Sequence, residues 1–173
     1  SVNSTSTPNA GPAIFDVTHL PVLPQANQPA TVYAKMDDPD GIALALLRYR
    51  LDPATTQNTV VMSYRGAGIY SAEIPAQAAN TMAAFTIHSY DSAGVSTAFP
   101  ADGKECLIRW GEGSPAGTLG AYRLWMTQAT QNTWSGRMKN SNTPLDVTMV
   151  YNNYRVIYNA AAQYSGSPWH TGG

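Results

Sequence analysis

Across residues 13–110, apolar and polar residues alternate in short runs, and each run is closed by a cluster of turn-forming residues. Strand side chains point alternately to two faces, so this texture is that of half-buried strands. Residues 14–18 form the first run, which ends at the proline segment 21–24. Residues 30–36 alternate cleanly and stop at Asp37-Asp38-Pro39-Asp40-Gly41, where proline presets φ, aspartates bond nearby backbone and glycine accepts positive φ. Residues 42–51 place Ala45, Leu47 and Tyr49 on one face and Leu44, Leu46 and Arg48 on the other. A buried helix would carry a similar apolar run, but the flanking turn clusters and the Arg48-Tyr49-Arg50-Leu51 alternation favour a strand.

Further strands are predicted over 60–64, 69–74, 82–90, 95–99 and 105–110, with turns at 65–68 and 91–94. That number of short strands in about a hundred residues is the pattern of an immunoglobulin/fibronectin-like β-sandwich. Residues 1–12, rich in Ser, Thr, Asn and Pro, precede it as a linker or extra strand. Residues 111–120, rich in Gly and Ser, read as a second linker.

Beyond that linker the texture changes. Residues 122–126 read as a strand, and Thr127 is placed to cap a short helix running to about residue 137, with Ala129 and Trp134 as packing residues. After a polar loop at 138–144, strands over 147–151 and 154–158 flank Asn152-Asn153, which suits the positive φ of a hairpin turn. Residues 121–173 are thus expected to be a smaller β-rich segment with one short helix, cut in mid-domain. The expected class is mainly β.

Charge narrows the partners. Ten basic residues against eleven acidic ones, with no basic run, give a net charge of −1. A protein that grips nucleic acid needs surplus Lys and Arg to displace counterions, so nucleic acid is not an expected partner. No apolar stretch approaches membrane-span length. Cys106 has no second cysteine in the chain to pair with and reads as a small buried residue. Few lysines among many Ser, Thr, Asn and Gln point to a secreted or cell-surface protein.

Asp37, Asp38 and Asp40 form a carboxylate cluster, and hard oxygens this close are the ligand type of Ca²⁺. The cluster lacks the extended ligand series of a calcium loop, and an Asp-Pro-Asp-Gly turn accounts for it without metal. No other cofactor is expected. His19, His88 and His170 lack zinc spacing, no Gly-x-Ser-x-Gly elbow is present, and Glu73, Glu105 and Glu112 are not paired for glycoside hydrolysis. Gly111 to Gly117 lacks the Gly-Lys-Ser/Thr ending of a phosphate loop. The aromatics concentrate late in the chain. Trp110 and Trp125 sit in strand alternation and read as core or interdomain contacts, whereas Tyr154 and Trp169, near a turn and a loose end, are the candidates for an exposed ligand-binding platform.

Val17-Thr18-His19, Asp38-Pro39-Asp40-Gly41-Ile42, the run 68–75 and Glu105-Cys106-Leu107-Ile108-Arg109 together resemble the immunoglobulin-like domain that precedes a spore-coat-H-like (CotH) kinase domain in large secreted bacterial proteins. Residues 122–129, 150–159 and 164–168 resemble the opening of that kinase domain. In such kinases the nucleotide- and metal-binding residues lie downstream of the corresponding segment, so the resemblance assigns no catalytic residue here. It implies an accessory region of a multidomain secreted protein. Three functional expectations follow, in order. The first is a non-catalytic binding or structural module that engages a protein surface, including self-association. The second is a carbohydrate-binding module using exposed Trp and Tyr. The third is a fragment of a CotH-like kinase.

Overall fold

A computed structural model describes residues 9–113, 120–138 and 141–164. Nine strands build the first unit: β1 (Ala13–Leu20), β2 (Ala30–Asp37), β3 (Ile42–Asp52), β4 (Asn58–Val61), β5 (Ser63–Gly66), β6 (Ile69–Ile74), β7 (Met82–Asp91), β8 (Ser96–Phe99) and β9 (Cys106–Arg109). One antiparallel sheet runs β1-β2-β6-β5 and the other β4-β3-β7-β8, with β9 paired to the first half of β7 and β8 to the second half. The two sheets pack face to face as a β-sandwich. Its core is the inward set that alternation predicts: Val32 and Ala34 from β2, Leu47 and Tyr49 from β3, Ile74 from β6, and Phe85 and Ile87 from β7. Trp110 closes one end fully buried, its indole N–H donating to the Gln28 carbonyl at 2.7 Å.

The strand expected over 60–64 is instead two strands in different sheets. β4 pairs with β3, whereas β5 pairs with β6. The chain crosses between sheets at Met62, which is buried and whose N–H donates to the Ala45 carbonyl at 2.8 Å. A strand that switches sheets turns a corner of the sandwich, and Met62 fills that corner. The following turn is tighter than expected: Ala67 (φ 50°) and Gly68 (φ 75°) alone connect β5 to β6. Both positive φ values suit a two-residue hairpin turn.

The second unit is a three-stranded antiparallel sheet, β10 (Tyr122–Trp125), β11 (Leu145–Tyr151) and β12 (Arg155–Ala162), with α1 (Gln128–Gly136) between β10 and β11. Thr127 caps α1 as expected, its Oγ1 accepting from the Thr130 N–H at 3.1 Å. The helix buries no residue, so Ala129 is not a packing position. Its Trp134 ring meets that of Tyr164 at 4.6 Å, tilted by 47°, with the Arg137 guanidinium over both rings.

The two units share a second core. Val22, Leu23, Met82, Ala84 and Leu107 of the sandwich pack against Trp125 and Val150 of the small sheet, with Val156 beside them. The small sheet therefore lies as a third layer on the outer face of one end of the β3-β7 sheet. Burying a residue such as Val150 contributes about 1.5–3 kcal/mol. A hydrogen bond from the Leu107 N–H to Thr148 Oγ1, 3.0 Å and buried, fixes the layers at their centre.

Candidate functional site

Three surface regions carry candidate chemistry. The first is the acidic tip of the sandwich. Asp38 and Asp40 come together there with Asp91, their ligand oxygens within 4.8 Å of one another. Asp37 does not join them: it ends β2 opposite Ala13 and is exposed. In the strand alternation that buries Met36, Asp37 is on the opposite side, whereas Asp91 continues the inward phase of Ala83, Phe85, Ile87 and Ser89. That phase was the sequence signal for Asp91, hidden because residue 91 also opens a turn.

Two of the three carboxylates, those of Asp38 and Asp91, accept hydrogen bonds from the surrounding loops. Asp38 Oδ1 accepts from the Asp40 N–H at 2.8 Å. The two oxygens of Asp91, 2% exposed, accept from the Val95 N–H at 2.8 Å and from the Asn9 amide at 2.7 Å. Three carboxylates supply part of the six to eight oxygens that Ca²⁺ takes. Their hydrogen bonds are also those of two well-made turns.

The second region is the outward face of the small sheet. Tyr122 and Leu124 alternate with the inward Arg123 and Trp125, and pair with Tyr151 and Met149 respectively. Tyr122 and Tyr151 rings lie 4.9 Å apart, and Tyr154 meets Tyr151 edge-on at 5.5 Å. Tyr154 and Tyr122 are both 67% exposed and Leu124 52%. Tyr154 thus lies where the turn pattern puts it, at the rim of an aromatic face. Trp169, its expected companion, lies outside the described residues, and Tyr122 and Tyr151 stand beside Tyr154 instead. The period-two pattern of residues 122–125 was the signal for Tyr122.

The third region is a cleft of about 280 Å³ at the junction of the units, lined by Asp52, Asn80, Arg109 and Gln128 with Met82 and Met126. Asp52 organises one wall. Its Oδ2 accepts from the Gln128 N–H at the start of α1 at 2.7 Å, and its Oδ1 accepts from Arg50 at 2.9 Å. Arg50 also forks onto Glu105 at 2.7 and 2.6 Å. The bond to Glu105, backed by Asp52, holds the guanidinium above even its usual pKa. This network of charge-assisted hydrogen bonds anchors α1 to the sandwich. Burial, with Glu105 nearby, likewise pushes the Cys106 thiol well above its ordinary range, consistent with a core residue.

No protein-family model and no curated protein matches the chain. No helix among the described residues is long and apolar enough to cross a membrane.

Proposed function

We propose that this chain is a non-catalytic extracellular module that binds or organises a protein partner, a second copy included, through the outward face of the small sheet. The reading rests on Tyr122, Leu124 and Tyr154, which stand more than half exposed on a sheet whose other face is already buried. Tyrosine and large apolar side chains at the centre of a surface are what protein partners desolvate for affinity. β10 and β12 end the sheet on either side, so strand pairing along those edges adds a second means of contact. The low charge and the Ser, Thr, Asn and Gln content support an extracellular setting. Size-exclusion chromatography with light scattering tests self-association. Concentration-dependent assembly that Leu124→Ser abolishes is expected, and a monomer at every concentration counts against a second copy as the partner.

A second reading, a carbohydrate-binding module, is favoured by the contiguous Tyr122, Tyr151 and Tyr154 rings on this face. Retention on insoluble polysaccharides, lost in Tyr154→Ala, supports it; no retention on any glycan removes it.

A further inference from the structure

The seam between sandwich and small sheet contains a hydrogen-bond chain made only of neutral groups. His19, on β1, is wholly buried. Its Nε2 lies 3.0 Å from the Val22 carbonyl oxygen, which can only accept, so Nε2 carries the proton. Nδ1 is left as an acceptor, and the Tyr158 hydroxyl from β12 donates a hydrogen bond to it. Around this pair β10 contributes Trp125, whose ring lies 6.2 Å from that of His19. β7 contributes Phe85, edge-on to Tyr158 at 5.4 Å, and β9 contributes Cys106 beside the phenol. The charged links across the junction lie elsewhere: Lys104 pairs with Asp146, Arg123 with Glu112, and Asp52 with the Gln128 N–H. None of them bonds to the imidazole.

We propose that His19 and Tyr158 form an acid-labile latch, in which protonation of His19 releases the β10-β11-β12 sheet from the sandwich. A proton on Nδ1 abolishes the acceptor that Tyr158 uses and places a charge among Trp125, Phe85 and Cys106, where no carboxylate of the described residues bonds to it. Separating β12 from β1 hydrates that charge and uncovers Phe85 and Cys106 at the margin of the inner core, while the two sheets of the sandwich go on covering each other. Burial lowers the pKa of His19 to about 4, from 6.5 for an exposed imidazole. The released form therefore takes up a proton below pH 6.5 and the latched form only near pH 4. Latching is at full strength above pH 6.5, weakens about tenfold per unit as pH falls to about 4, and levels off below after a total loss of about 300-fold.

Amide hydrogen exchange of the full chain, corrected for the intrinsic pH dependence, tests this. Between about pH 6.5 and 4.5, opening of β11 and β12 should rise about 40-fold while β2 and β6 stay protected. His19→Gln keeps a donor and an acceptor but does not titrate, and should abolish the response while leaving the Lys104–Asp146 and Asp52 links intact. Equal loss of protection in both units, or an unchanged response in His19→Gln, overturns the proposal. Should that variant not fold, an NMR titration of the wild-type imidazole decides: a midpoint well below 6.5 is expected, and an ordinary midpoint refutes the latch.

Discussion

The sandwich and the small sheet solve the same burial problem with unequal means. Each sheet of the sandwich covers the inner face of the other, so Val32, Leu47, Ile74 and Ile87 all find partners within one unit. The small sheet has three strands and a helix that buries nothing, and its Trp125 and Val150 pack on Met82, Ala84 and Leu107 of the sandwich. A sheet with one buried face needs a host for that face and leaves the other to solvent. The host is altered in turn. β7 and β9 bury successive residues, Met82-Ala83-Ala84-Phe85 and Cys106-Leu107-Ile108, because both of their faces are covered. β2, covered on one face only, alternates strictly.

Removing the anchor of each unit breaks this comparison most directly. Trp110→Ala is expected to cost about 3–5 kcal/mol, the upper end being expected because the Gln28 carbonyl also loses its donor. Chemical denaturation should show the sandwich and the small sheet weakened together, since the sheet depends on its host. Trp125→Ala should cost somewhat less, about 3 kcal/mol, because its indole N–H has no partner among the described residues to lose. Hydrogen exchange should then show faster opening of β11 and β12 with β2 and β6 unchanged. Equal loss in both units would mean that they form one cooperative core.

Much of the sandwich was legible because alternation reports a one-sided face. The inward set of β2 and β3, the turns at Gly41 and Gly68, and the burial of Trp110 all follow from it. What sequence periodicity could not convey was where a strand leaves its sheet. Residues 60–64 are β-type throughout, and the crossing at Met62 is a tertiary event with no local mark. The acidic tip was half legible for a related reason. Asp38 and Asp40 are neighbours in sequence, whereas Asp91 reaches them only through the pairing of Ile42 with Asp91 between β3 and β7. The runs 82–85 and 106–108 did carry information that alternation alone does not use, since unbroken apolar runs mark strands covered on both faces.

Smaller perturbations confined to the small sheet sharpen the contrast. Thr127→Ala removes the cap of α1 and should cost about 1 kcal/mol, seen as reduced helical circular dichroism with an unchanged sandwich transition. The loss stays local because α1 buries no residue.

Tyr154→Ala should have the least effect on stability, within about 0.5 kcal/mol, since the side chain is 67% exposed and meets Tyr151 only edge-on. Its effect should fall on recognition instead. If the outward face binds a partner or a glycan, removing Tyr154 weakens that binding while thermal melting stays where it was. A drop in melting temperature comparable to that of Trp125→Ala would identify Tyr154 as part of the fold. The asymmetry between the two faces of the small sheet, one spent on the sandwich and one open, would then no longer hold.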